Sequence, residues 1–290
     1  MVISQTGTAT RARSRRINRY KIKRRLASVL RGLAIGLFLF FFLFIFFWMI
    51  LMSLKDQRTV TAYPPVWFFK PTFVNYVNVF KTTPFSKYLL NSSIIGTVSV
   101  AFSLLLGLPA AYAVARYRLT GLAFPALLMR MLPGIAFLVP FFVIFNRLGL
   151  KDSYLGMIIA HMTLSLPLII WIMIGFFEDI PSELEDAAVI DGCGKFMSFY
   201  RVALPLCLPG VTAVTILGFI FSWNNFMFVL VLGGPKTMTL PLAVYSFISF
   251  ECINWGALAA AATLITIPII ILSVIIQRYL VAGLTTGAVK

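Results

Sequence analysis

No charged side chain interrupts the chain between Arg31 and Lys55, and most of that stretch is Leu, Ile and Phe. A helical bilayer crossing takes about 20 consecutive apolar residues. Leu33–Leu54 meets that length. The rest of the chain has the same character. Of its 290 residues, 60% are hydrophobic and 12% are charged, about half the usual globular charge density. Lipid is the solvent that suits such a surface.

Five further apolar segments are long enough to cross. Lys87 and Arg116 bracket Tyr88–Ala115. The others are about Leu122–Phe145, Ser153–Phe177, about Leu206–Leu232 and about Trp255–Ile276. None alternates with period two, so helices rather than barrel strands are expected. The predicted fold is all-α, a membrane bundle of six transmembrane helices. The third span is the weakest, because Arg130 and Pro133-Gly134 lie inside it. Pro109, Pro140, Pro167, Pro209-Gly210 and Pro268 fall within spans as well. Each removes a backbone donor and can kink a helix. Singly they are ordinary membrane-helix composition; as a set they also fit a bent bundle that rearranges around a pathway.

The net charge is +16, and ten Lys or Arg with no acid lie between Arg11 and Arg31. Basic residues beside a span hold that end in the cytoplasm. Anionic lipid headgroups are their expected contacts, and nucleic acid is not. The first apolar run is too long for a signal-peptide core and is read as a retained helix. The predicted organisation is a basic cytoplasmic arm at 1–31, a transmembrane domain at 32–277 and a cytoplasmic tail at 278–290. An even number of spans places both termini inside. Segments 55–87, 147–152 and 233–254 then face out, and 116–121 and 178–205 face in.

Several chemistries are excluded. Cys193, Cys207 and Cys252 have no metal-type spacing and His161 is the one histidine, so no metal site is expected. Gly194-Lys195 is followed by Phe196, and Lys236-Thr237 is preceded by Pro235, so neither is a P-loop. There is no Gly-x-Ser-x-Gly and no His-Glu-x-x-His. No catalytic residue is assigned, and ATP hydrolysis must come from another polypeptide. His161 reads as a satisfied or pore-lining side chain. Arg130 reads as a snorkelling side chain near a span end, or as a functional charge. Trp223, Asn224 and Asn225 place an indole and two amides at membrane depth. Helix-to-helix bonding and a sugar-pathway face both fit them.

Six of the nine acids lie between Glu178 and Asp191. Ser182 followed by Glu185 reads as a capping box. Pro181 stops the preceding helix, and Gly192 is a left-handed terminator. A second helical stretch, Lys195 to Val202, ends at Leu204-Pro205. Leu184, Ala187, Ala188 and Asp191 share one face of the first helix. Its two alanines leave room for close approach by another surface. A solvated loop and a docking knob for a soluble partner with a basic cleft both fit.

Asp186-Ala187-Ala188-x-x-Asp191-Gly192, then Phe199, then Leu204-Pro205, resembles the EAA loop of ATP-binding-cassette import permeases. Asp186 stands where that family usually has Glu. Asn91-Ser92, Leu148-Gly149-Leu150, Trp223-Asn224 and the tail from Gln277 to Lys290 resemble maltose- and trehalose-type carbohydrate permeases. The resemblance covers roughly 33–290. It implies a type I importer permease fold in a bacterial inner membrane. It implies ATPase coupling through Glu185, Asp186, Ala187, Ala188, Asp191 and Gly192, and a tail contact through Gly283, Leu284, Thr285, Thr286 and Gly287. The implied partners are a second permease, two ATPase subunits that bind ATP and Mg, and an extracytoplasmic sugar-binding protein; no cofactor is implied in this chain. The implied activity is import of a di- or oligosaccharide by alternating access. The same permease type also serves other small solutes such as glycerol phosphate. A membrane enzyme acting on lipid-linked sugars would need carboxylates or a metal at the membrane face. An ion-coupled transporter would need intramembrane acids, and the spans carry essentially none.

Overall fold

The computed structural model describes residues 6–248 and 253–287, and the side chains of 6–23, 25, 120, 122, 123, 126 and 278–287 lie outside the described set. Most arginines of the basic arm and the tail side chains from Gly283 to Gly287 fall outside it.

The chain divides into two compact units, residues 1–52 and 53–290. The described residues of the first all belong to one helix, α1 (Thr6–Ser53). The arm and the first span are thus a single continuous element. Its residues from Leu26 to Leu43 are all exposed. Phenylalanines four apart pack along it with tilted rings, Phe40 against Phe44 and Phe38 against Phe42, and Phe44 stacks on Trp48.

The second unit begins with α2 (Gln57–Val60), α3 (Val74–Thr82) and α4 (Phe85–Tyr117). Next come α5 (Thr120–Met131), a tight turn at Gly134–Phe137, α6 (Leu138–Arg147) and α7 (Tyr154–Glu178). The short α8 (Ser182–Ile190) and α9 (Lys195–Ser198) follow, then a widened turn at Phe199–Ala203 and α10 (Leu204–Leu206). The chain closes with α11 (Leu208–Trp223), α12 (Met227–Leu232), α13 (Leu240–Tyr245) and α14 (Trp255–Gly287). Among the described residues the only pairing of strand type is an isolated antiparallel bridge between Ile248 and Ile253.

Among the described residues, four helices are long and apolar enough to cross a membrane: Leu26–Ser53, Phe85–Tyr117, Tyr154–Glu178 and Trp255–Gln277. They correspond to the first, second, fourth and sixth expected spans. The other two expected spans are broken. The third divides into α5, the turn and α6. Leu132 is extended, with ψ 132°, as the residue before a proline must be. The fifth also differs. Lys195–Leu206 and Leu208–Trp223 meet at a 78° bend, the form of a broken span or of a re-entrant loop. Beyond Trp223 the helix stops at Asn224-Asn225 before α12 begins.

The segment after α8 does not end at Pro205 as expected but runs on to Leu206. In a regular helix the Pro205 ring would strike the Arg201 carbonyl. Here the Leu204 amide reaches the Phe199 carbonyl, five residues back. That wider turn makes room for the ring. Wider turns of this kind recur at functional sites.

α4 and α7 are parallel neighbours: their first turns meet, and so do their last. The Tyr154 hydroxyl donates to the Asn91 side-chain oxygen at one end (2.6 Å), and Tyr112 packs edge-on against Phe177 at the other. Between them the Ser103 and Ser165 hydroxyls meet at 2.6 Å. Helix association in lipid rests on such close packing and interhelical bonds, since lipid is as apolar as leucine. One core, around Tyr112, Phe177, Phe199 and Val214, lies at the α8 end. Another joins α3, α4, α11, α13 and α14 through Val79, Phe85, Trp223, Leu240 and Ala260.

Candidate functional site

The expected capping box at Ser182 and Glu185 does not form. Pro181 is extended ahead of the first turn, and no side chain caps α8. Glu185 turns inward instead and is 8% exposed. The Tyr112 hydroxyl donates to its Oε2 at 2.5 Å, and the Arg116 Nε donates to its Oε1 at 2.7 Å. Arg116 Nη2 lies 2.5 Å from Oε1 and also donates to the Ile180 carbonyl at 3.0 Å. The reason is strength. Charge-assisted bonds from a guanidinium are about twice as strong as neutral ones, so they outcompete a backbone amide. Two residues of α4 thereby hold α8 in place, and neither was picked out from sequence as part of this site. In the sequence Arg116 marks only the charge that closes the second span.

The other end of α8 follows the sequence reading. Gly192 has φ +88°. Its amide bonds the Val189 carbonyl at 3.0 Å, and the Cys193 amide bonds the Ala188 carbonyl at 2.9 Å. This pair of bonds needs a left-handed residue at the turn. Nothing lies within 4 Å of where a Gly192 Cβ would stand, so backbone conformation alone demands the glycine.

Between these ends α8 faces outward. Asp186, Ala187, Asp191 and Gly192 are exposed and Ala188 is half-buried. Leu184, Val189, Ile190 and Phe196 add exposed apolar surface, Ile190 at 86%. A hollow of about 250 Å³ lies beside the anchor, lined by Tyr112, Arg116, Glu185, Asp186, Lys195 and Ser198 among others. The surface is an acid-rimmed apolar knob on a fixed base, suited to docking rather than to proton transfer or group transfer.

A second polar cluster lies at the opposite end of α4 and α7. The Asn91 side-chain amide donates to the Lys236 and Met238 carbonyls at 2.9 and 2.8 Å. The Ser92 hydroxyl accepts from the Leu240 amide at 2.9 Å, and Lys87 Nζ donates to the Pro235 carbonyl at 2.9 Å. Asp152 accepts from the Lys236 amide (3.2 Å), the Thr237 amide (3.0 Å) and the Thr237 hydroxyl (2.9 Å). A Cβ at Gly234 would fall 2.6 Å from the Asp152 carboxylate, so glycine is required for this close approach. Burial works against ionisation of Asp152. The bonds from Thr237 and Lys236 outweigh it, and the carboxyl sits below its ordinary value. Asn91-Ser92 entered the sequence reading only by resemblance, and Asp152 not at all.

The residues weighed for a sugar pathway are not brought together. Trp223 is buried, its indole N–H donating to the Ile265 carbonyl on α14 at 3.3 Å and its ring lying against Phe219. The Asn225 side-chain oxygen accepts from the Phe228 amide at 3.0 Å and so caps α12. Asn224 is exposed. His161 is buried with Nδ1 2.6 Å from the Ser222 hydroxyl, a bond between α7 and α11. Arg130 is exposed in the last turn of α5, ahead of the break.

A bundle of long apolar helices around an anchored, outward-facing loop helix defines a membrane transport subunit, and residues 103–286 match the family described as binding-protein-dependent transport system inner membrane component. The chain belongs to that family: it is a non-catalytic, multi-pass permease subunit of an ATP-binding-cassette importer. It is 40% identical over 252 residues to the trehalose transport system permease protein SugB of Mycobacterium tuberculosis, covering 84% of this chain and 90% of that one. It is 35% identical over 269 residues to the sulfoquinovosyl glycerol transport system permease protein SmoH of Agrobacterium fabrum, covering 90% and 93%. Its fold is similar to a chain of a bacterial ABC transporter that imports the acidic polysaccharide alginate. The TM-score is 0.73 at 23% identity, over 88% of this chain and 96% of that one.

Proposed function

We propose that this chain forms half of the translocation pathway of an ATP-driven importer of di- or oligosaccharides and works by alternating access. The substrate class rests on the relatives, whose named substrates are glycosides. The partners are a second permease, two ATPase subunits that supply bound ATP and Mg, and an extracytoplasmic sugar-binding protein. Both termini and α8 lie in the cytoplasm, following the basic residues ahead of the first span, and the loop at 233–254 lies outside. The carrying observation is α8 itself. Its carboxylates Asp186 and Asp191 and its apolar residues face outward, while Glu185 alone is held inward. ATP-driven closure of the ATPases draws on this helix and opens the permease outward; hydrolysis resets it.

The test is Asp191→Lys in the co-expressed complex. The charge reversal opposes docking to a basic cleft and lies outside the spans. The variant should insert and pair with the second permease, yet lose the ATPase subunits or keep them without sugar-stimulated hydrolysis. Full retention of both sinks this reading.

A further inference from the structure

The parallel pair α4–α7 is fastened at both ends. At one end Tyr112 and Arg116 grip Glu185 of α8, and α7 itself runs into α8 through Asp179–Pro181. At the other end Asn91, Ser92 and Asp152 grip the backbone of 236–240. A helix rises about 38 Å from Asn91 to Arg116 at about 1.5 Å per residue. The two grips therefore cannot touch, and anything passing between them needs a stiff connection.

The pair has that stiffness. Pro109 removes one backbone bond from α4. Beside it, Leu108 and Ala111 share one packed cluster with Ile169 and Met173 of α7, so the neighbouring helix splints the weak point. The grips resist slipping as well. Asn91 is 0% exposed, and pulling its amide off two carbonyls without replacement leaves buried donors unmet. It costs less for the 236–240 segment to move with the helix ends than to part from them.

Resting on the function proposed above, which puts the loop at 233–254 on the side of the sugar-binding protein, we propose that the α4–α7 pair is a strut linking the ATPase-docking helix α8 to that loop. Asn91 and Asp152 are the positioning residues by which arrival of that protein is felt at the ATPases. Every bond of the strut lies within this one chain.

The experiment uses the complete transporter in lipid nanodiscs. ATP hydrolysis is measured with and without the sugar-loaded binding protein, together with the binding-protein concentration that gives half-maximal stimulation. Asn91→Asp keeps the side chain's shape and removes its two donors; Asp152→Asn removes the charge. Both should retain the ATPase subunits and the unstimulated rate. Maximal stimulation should fall on the order of 5-fold or more, the usual scale of coupling between sites. Half-saturation should not move, because neither residue is a docking contact. Asn91→Asp combined with Arg116→Lys should be no worse than the weaker single variant, since a strut cut at one end gains nothing from a second cut. If Asn91→Asp fails to assemble, Ser92→Ala, which removes a single acceptor, carries the same expectations. Full stimulation in the single variants overturns the strut, as does multiplicative loss in the double variant or a shift confined to half-saturation. Asp191→Lys run alongside separates the two readings. If it strips the ATPases while Asn91→Asp and Asp152→Asn keep full stimulation, docking at α8 stands and the strut falls. If it too changes nothing, the docking reading has failed.

Discussion

Glu185 and Asp186 are consecutive carboxylates with opposite surroundings: Glu185 is buried against Tyr112 and Arg116, and Asp186 is exposed. One sets where α8 sits and the other contributes to what α8 presents. The two roles separate in mutants.

Glu185→Ala leaves the Arg116 guanidinium in its half-buried place without a carboxylate. Breaking one side of such a pair costs on the order of 3 kcal/mol. The thermal midpoint of the purified permease pair should fall accordingly, and Glu185→Gln, which keeps an acceptor, should recover part of it. Asp186→Ala should stay within about 0.5 kcal/mol of the parent but weaken retention of the ATPase subunits. Equal melting of Glu185→Ala and Asp186→Ala would contradict the division.

At Gly192 the demand is purely conformational, with φ +88° and open space beyond. Gly192→Val should cost about 1 kcal/mol or more through left-handed strain. Gly192→Asn should be milder, because asparagine tolerates that conformation. Binding-protein-stimulated turnover should rank glycine, asparagine, valine. A valine variant as active as the parent would remove any functional role for the turn.

Orientation can be read by labelling in a background whose three cysteines at 193, 207 and 252 are replaced by serine. Lys236 and Asp186 are both exposed and lie at opposite ends of the α4–α7 pair. Lys236→Cys should react with an impermeant thiol reagent in intact cells, and Asp186→Cys only after lysis. The reverse pattern would invert the topology.

The spans that were legible in the sequence are those whose apolar runs meet no local obstacle. Pro109, Pro167 and Pro268 lie inside continuous helices, because packing neighbours stabilise what one missing bond weakens. Pro133 and Asn224-Asn225 do break their spans, and hydropathy does not distinguish the two cases. For α8, Pro181 and Gly192 announce both ends, since these are backbone preferences of single residues. The fate of Glu185 was hidden for the opposite reason. Its partners stand 73 and 69 positions away, and the local pattern Ser182-x-x-Glu185 pointed to a cap that tertiary partners override. Asn91 likewise acts on backbone carbonyls 145 and 147 positions distant, which no spacing rule reaches.

Asp152 gives a pH signature. Its carboxyl lies below the ordinary value in the folded protein. The unfolded chain therefore takes up a proton first as pH falls, and the stabilisation is fully present above the unfolded value of about 3.9. It is lost as pH falls through the lower folded value. Hydrogen-exchange protection of the Lys236 and Thr237 amides should be flat from about pH 7 to pH 5 and collapse only below about pH 3.9. In Asp152→Asn it should be low throughout. Loss of protection already near neutrality would mean that another group holds the loop.

Trp223 and Asn224 are neighbours with separable roles. Trp223→Phe keeps the ring packing against Phe219 and loses the bond to the Ile265 carbonyl, a loss of about 1 kcal/mol in stability. Its KM for sugar uptake should not change. Asn224→Ala touches the exposed amide, and a raised KM there would assign it to the pathway. A changed KM in Trp223→Phe with none in Asn224→Ala would refute this assignment.

The widened turn at Phe199–Ala203 makes the connection between α8 and α11 a matter of heading as well as reach. One residue contributes about 100° of rotation in a helix. Deleting a residue inside the widened turn would restore an ordinary turn at nearly the same bearing, at the cost of setting the Pro205 ring against the carbonyl four residues before it. Deleting a residue on either side of it, where the helix is ordinary, would instead swing α9, with α8 attached, around the axis of the segment that follows. The wide turn is thus the one place in this connection where a residue can be gained or lost without re-aiming the outward carboxylates.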